Sequence, residues 1–229
     1  MNKKETQSQL KAVARTAGFW YLMLAISGIL GFLVFHSKVF DADPQQTLTN
    51  LTEKETTARI RLLLEIAIVV SQALTAVWFF RLFRNINDWA ALATGIWGTV
   101  NAVVIMISAI SMRAAIELAA SSYEPGDKVA TIDLLNRLIS SSWAIGGLFF
   151  GLWLIPLGYV VSGSKRMPVW LGRTLMIGGV GYILSTVIHS AGFSGSWVNG
   201  LTIPATIGEF WMIGYLLIFG IRPENEQAS

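Results

Sequence analysis

Six continuous apolar runs, separated by short polar stretches and by two longer ones, Lys38–Arg61 and Arg113–Arg137, set the pattern of this chain: Ala17–Ser37, Leu62–Phe83, Ala90–Met112, Leu138–Ser162, Val169–Ser190 and Ile203–Ile221. Each is close to the roughly 20 residues that carry a helix across a hydrocarbon core of about 30 Å. Polarity does not alternate along the runs, as it does in the strands of a membrane barrel. A helix satisfies its own backbone in lipid, so six helices are the prediction.

The polar stretches refine this. Thr52-Glu-Lys-Glu55 reads as a capping box, in which threonine and glutamate satisfy the free donors of a helix start. The second helix is therefore expected to begin near Thr52. Met112–Ser122 reads as a continuation of the third helix. Glu124-Pro-Gly-Asp127 is a turn signal, and Val129–Arg137 leads into the fourth helix. The expected fold is an all-α, polytopic six-helix transmembrane bundle with two helices extended on the outer side. No linker or low-complexity tract interrupts it, so residues 1–229 read as one transmembrane domain.

Composition agrees. Hydrophobic residues make up 53% of the 229 residues and charged residues 14%, against about 25% charged in an average soluble domain. That excludes a water-soluble monomer and a disordered chain. The absence of cysteine excludes a disulfide scaffold and a thiolate metal site. The net charge of +3 is spread over short loops. It reads as a topology signal rather than a nucleic-acid patch, and no nucleic-acid partner is expected.

Six spans place both termini on one side. Ten basic residues fall on that side, among them Lys3, Lys4, Arg81, Lys165 and Arg173, and seven on the other. The positive-inside rule then predicts cytoplasmic termini in a bacterial inner membrane. Acids lean the other way, with Glu5, Asp88, Glu224 and Glu226 on the terminal side. The first run is too long for a cleaved signal, and no small-x-small site follows it before Lys38.

Candidate chemistry lies in the few charges within the runs, which are costly there and usually face a bundle interior. Arg61 and Glu65, Arg113 and Glu117, and Asp133 and Arg137 share the i, i+4 spacing of helical ion pairs. Long arginines beside an interface are expected to snorkel to water. Glu209 differs, because Ala205, Thr206, Met212 and Ile213 at i±3 and i±4 offer no base. A carboxyl at that depth needs a partner on another helix or stays neutral. Pro204 and Gly208 are expected to loosen the backbone beside it. Glu209, Glu65, Arg61, His189, Arg113 and Arg137 are thus the candidate ligand-binding residues, expected to border one outward-facing polar cavity. Gln72 and Asn101 lie deeper and read as helix–helix hydrogen-bonding residues.

His36, His189, Glu65 and Glu209 have metal-ligand chemistry but no metal-site spacing, so no metal and no cofactor is predicted. Nucleophile elbows and phosphate loops are missing too, and no catalytic residue is assigned. Gly147-Leu-Phe-Phe-Gly151 and Gly178-Gly-Val-Gly181 are small-residue sets that let helices approach closely, within the chain or in a homo-oligomer. The tryptophans read mostly as interfacial anchors.

Phe149-Phe-Gly-Leu-Trp153, Leu157-Gly-Tyr159, Pro168-Val-Trp-Leu-Gly172 and Gly178-Gly-Val-Gly-Tyr182 occur in order along the second half. Pro204-Ala-Thr-Ile-Gly-Glu209 follows, and Arg15-Thr-Ala-Gly18 with Tyr21-Leu22 precedes. From Arg15 to Arg222 the chain resembles the bacterial domain-of-unknown-function family numbered 4386. The resemblance implies a small multi-span bacterial membrane protein and carries no activity with it. It also places Glu209 at a polar family position. The family pattern has a histidine shortly before Phe-Phe-Gly, where this chain has Ser140-Ser-Ser-Trp143. That departure weighs against histidine or metal chemistry. Three functions are consistent with the residues. The first is a protein that binds or transports a small molecule or lipid around Glu209. The second is a structural or regulatory membrane subunit using the glycine faces. The third is an intramembrane hydrolase pairing Glu209 with His189.

Overall fold

The computed structural model describes residues 6–122 and 124–223. Lys3, Lys4, Glu5, Glu224 and Glu226, used above for orientation, lie outside the described residues. Among the described residues all regular structure is helical. Helix α1 (Gln7–Ile29) continues through a π-helical segment (Leu30–His36) into a last turn, α2 (Ser37–Val39). Then follow α3 (Pro44–Glu53), α4 (Glu55–Phe83), α5 (Asp88–Ala119), α6 (Pro125–Gly163), α7 (Val169–Ser190), the short α8 (Ser196–Gly200) and α9 (Ile203–Ile218).

Six of these stretches are long and apolar enough to cross a membrane: Gln7–Val39, Glu55–Phe83, Asp88–Ala119, Gly126–Gly163, Val169–Ser190 and Ser196–Ile218. The protein is an all-α, multi-pass membrane protein. The first five apolar runs of the sequence each fall within one of these stretches, and Val169–Ser190 coincides with α7, whereas Ile203–Ile221 runs past the last stretch, which ends at Ile218.

The second spanning helix, α4, starts at Glu55, near Thr52 as expected, but Thr52 does not cap it. The Thr52 hydroxyl donates back to the Leu48 carbonyl across 2.9 Å, inside α3. The start signal that acts is Asp43-Pro44. The Asp43 carboxylate accepts from Gln45 N at 3.0 Å, and Pro44 occupies the first turn, where its missing N–H costs nothing. Lys54 breaks the register, and α4 begins at Glu55. Glu124-Pro-Gly-Asp127, read as a turn signal, falls at the start of α6, which begins at Pro125.

The chain divides into two compact units. One contains Met1–Leu22, Gln72–Asn101 and Gly147–Ser229, and the other Met23–Ser71 and Ala102–Gly146. The core of the second unit gathers Val39, Phe40, Leu51, Ala58, Met112, Ile116, Ile132 and Ile139, with Leu48 and Trp143 packed against it. Leu48 and Leu51 are one turn apart, so α3 lays an apolar edge on this core.

In the first unit α7 packs along both α6 and α9, and glycine permits it. A Cβ on Gly151 would meet the Gly179 carbonyl and Ile183, and one on Gly178 would meet the backbone of Ala205. The glycine faces seen in the sequence are thus occupied by helices of the same chain. Helix α7 ends in a Schellman turn. Gly192 takes φ +88°, its N–H bonds to His189 O at 3.0 Å, and Phe193 N–H bonds to Ile188 O at 3.1 Å.

Candidate functional site

The partner of Glu209 is Tyr21. Its phenol donates to Glu209 Oε1 at 2.7 Å, and it is Glu209's only polar partner among the described residues. Local packing accounts for the meeting. A Cβ on Gly18 of α1 would lie 2.8 Å from Leu216 Cβ of α9, so the two helices nearly touch there. Tyr21 lies one turn on from Gly18, and Glu209 two turns back from Leu216 on the same face. The two helices therefore run antiparallel, and the hydroxyl and the carboxyl meet.

Tyr21 is held from behind. Its ring meets Phe79 edge-on at 5.5 Å and Trp153 at 5.6 Å, and both of these are fully buried. Trp153 is thus a core residue, not an interfacial anchor as the sequence led us to expect. Trp89, Trp170 and Trp197 are 71%, 66% and 62% exposed, as membrane anchors require. Trp153 also fills the space against Gly98, where a Cβ would come within 2.6 Å of its ring. Gln72 donates to Gly98 O at 3.3 Å, the helix–helix bond expected of it. Glu209 itself is half-buried on α9, with Gly208 backed against Leu175 of α7. One carboxylate oxygen is engaged, and an ionised carboxylate can accept further hydrogen bonds at its remaining lone pairs.

His189 belongs to the same unit but has turned to its own helix. Its Nδ1 lies 2.9 Å from the Ser185 carbonyl, which makes Nδ1 the protonated nitrogen. The side chain is exposed at the end of α7.

The other four candidates lie in the second unit. Arg61 and Glu65 pair as their spacing predicts. Both are fully buried, however, so Arg61 does not snorkel to water. Glu65 gives one oxygen to Arg61 Nη1 and the other to Trp143 Nε1 at 2.9 Å, which also reaches Ser108 Oγ at 3.2 Å. The Phe32 ring covers the guanidinium, 4.6 Å from its carbon. Trp143 and Phe32 carry no charge and stand far from Arg61 in sequence, so pattern reading missed them. Arg113 and Arg137 sit in exposed helical pairs with Glu117 and Asp133, at 2.8 and 2.9 Å. Their side chains are 72% and 74% exposed. The six candidates therefore fall in two compact units and in separate hydrogen-bonded sets.

No group of three or more potential metal-binding His, Cys, Asp or Glu side chains occurs among the described residues. A groove of about 460 Å³ in the first unit is lined by Trp89, Trp97, Pro156, Tyr159 and Met176, with Asn87 at its polar edge.

The model of the family described as "Domain of unknown function (DUF4386)" matches residues 16–220. An uncharacterized protein of Archaeoglobus fulgidus is 38% identical over 50 residues, which cover 22% of this chain and 31% of that protein. The chain thus matches less than a third of that relative's length. No solved structure matches. Since the family match spans nearly the whole chain, the protein belongs to this domain-of-unknown-function family.

Proposed function

We propose that this family member binds or transports a small molecule or lipid, with Glu209 as the recognising carboxyl. One observation carries the reading. Glu209 is an ionisable group inside a membrane span, and its only polar partner among the described residues is the neutral Tyr21 hydroxyl. A carboxylate kept in such a place without a cation is costly, and intramembrane ionisable groups mark substrate or ion sites by default. The ligand chemistry that fits is a cationic or hydrogen-bond-donating group, such as an amine or a polyol headgroup. Tyr21 fixes one oxygen and leaves the other for the ligand.

In this reading Glu209 borders a polar cavity open to the side opposite the termini. Both termini face the cytoplasm of a bacterial inner membrane, and the whole chain acts as one transmembrane domain. The supporting facts are the ten-to-seven excess of basic residues on the terminal side and the absence of a linker or low-complexity tract in the sequence.

A thermal-shift screen of amine-bearing and polyol-bearing lipids and small molecules, run on wild type and Glu209→Gln, tests the proposal. At least one compound should stabilise the wild type and leave the variant unmoved. A variant that keeps every ligand response sinks the reading.

A further inference from the structure

The second unit holds a buried cation with unused binding capacity. Glu65 has both oxygens engaged, by Arg61 Nη1 and Trp143 Nε1. Arg61 is not matched in return. Its Nε and Nη2 are buried and have no hydrogen-bond partner among the described residues. These two nitrogens form one edge of the guanidinium, the edge that grips a carboxylate or phosphate with two parallel N–H bonds. A buried donor without a partner costs about 1–3 kcal/mol, more when charged, so two on one arginine call for an acceptor.

Three further observations point to the same place. His36 Nδ1 is also buried without a hydrogen-bond partner among the described residues. His36 and Phe32, whose ring covers Arg61, both lie in the π-helical segment Leu30–His36. Such segments are rare and frequently found at functional sites. Finally, a polar cavity of about 460 Å³ opens one helical turn away. Ser37, next to His36, and Thr57, one turn before Arg61 on α4, line it together with Lys38, Lys54, Asp41 and Gln46. Its volume lies within the range of small-molecule pockets. Its two lysines against one aspartate make it electropositive, and Arg61 with Glu65 adds no net charge behind them. An anion entering there would balance the excess.

We propose that Lys38 and Lys54 form the vestibule, and the Nε–Nη2 edge of Arg61 the inner anchor, of an oxyanion-binding site. The ligand is a phosphate or carboxylate group, presented by an anionic lipid or by a free solute. Access to Arg61 requires the π-helical segment to shift Phe32 and His36, and the unpartnered His36 Nδ1 means that no side-chain hydrogen bond of His36 to the described residues is lost at that nitrogen in the shift. This site is separate from the Glu209 reading and does not depend on it.

The test uses the full chain in neutral detergent, titrated with inorganic phosphate while melting is followed. A second arm compares nanodiscs of phosphatidylcholine with nanodiscs containing phosphatidylglycerol. A saturable rise in melting temperature is expected in at least one arm, and which arm responds identifies solute or lipid as the source. Lys38→Gln with Lys54→Gln should weaken the apparent affinity about tenfold or more, the equivalent of one lost charge-assisted bond. Arg61→Met with Glu65→Leu removes both charges together, leaves none stranded, and should abolish the response. Arg173→Gln, on the first unit, should keep it. No rise in either arm overturns the proposal. So does a wild-type response from the lysine pair variant, which keeps the test decisive if the Arg61 variant does not fold.

Discussion

Tyr21 and Glu209 are 188 residues apart in sequence, and the phenol of one holds the carboxyl of the other at 2.7 Å. The bond joins the first and last spans of the chain. Tyr21 is nearly fully buried against Phe79 and Trp153, so its hydroxyl is delivered by a rigid aromatic wall.

Tyr21→Phe should therefore lower stability by about 1–3 kcal/mol, the range for a bond to a group that can carry charge. Equilibrium unfolding in detergent measures it. Wild-type stability would mean that the bond has no net weight.

The buried Arg61–Glu65 pair should show the asymmetry of such pairs. Glu65→Ala strands the guanidinium and should cost about 3–5 kcal/mol, whereas Arg61→Met with Glu65→Leu should cost much less. Trp143→Phe removes one donor to Glu65 and should cost about 1–3 kcal/mol. The three variants form a thermodynamic series in one unfolding assay. A double variant that costs as much as Glu65→Ala would contradict the pairing.

Glycines at helix contacts should separate from those in open space. Gly151→Ala drives a Cβ against the Gly179 carbonyl and should destabilise, because backbone cannot give way as a side chain can. Gly214→Ala meets nothing within 4 Å in the middle of α9 and should stabilise by up to about 1 kcal/mol through helix propensity. Melting of the two variants in parallel gives the sign of each.

The start of α3 rests on Asp43. Asp43→Ala should cost about 1 kcal/mol and raise amide exchange across Pro44–Glu53. Thr52→Ala should leave both nearly unchanged, because that hydroxyl only bonds back to its own helix. Hydrogen exchange resolved over this segment distinguishes the two.

The orientation is testable without background, since the chain has no cysteine. Lys165→Cys and Gln46→Cys are both at exposed positions. In intact cells an impermeant thiol reagent should label Gln46→Cys at once and Lys165→Cys only after permeabilisation. The reverse result would invert the topology.

The six spans were legible because a membrane helix is a local object. Its backbone bonds close within the segment, so about 20 apolar residues announce it. The α3 helix was missed for a local reason as well. Thr52-Glu-Lys-Glu55 has the form of a capping box, but Asp43-Pro44 starts a helix earlier and carries Thr52 into its interior. The i, i+4 pairs followed from spacing, yet spacing did not tell the buried Arg61–Glu65 from the exposed Arg113–Glu117. Burial depends on which helix covers the face, and Phe32 and Trp143 do so from elsewhere in the chain.

By itself, the sequence determined an all-helical, multi-span chain with costly charges at Arg61, Glu65 and Glu209. Tertiary structure alone decided their partners. Tyr21 reaches Glu209 because Gly18 lets α1 and α9 touch. Arg61 keeps an unmatched edge because Glu65 divides its two oxygens between Arg61 and Trp143. Hydrogen bonds between distant helices depend on packing geometry, which periodicity along one helix does not encode.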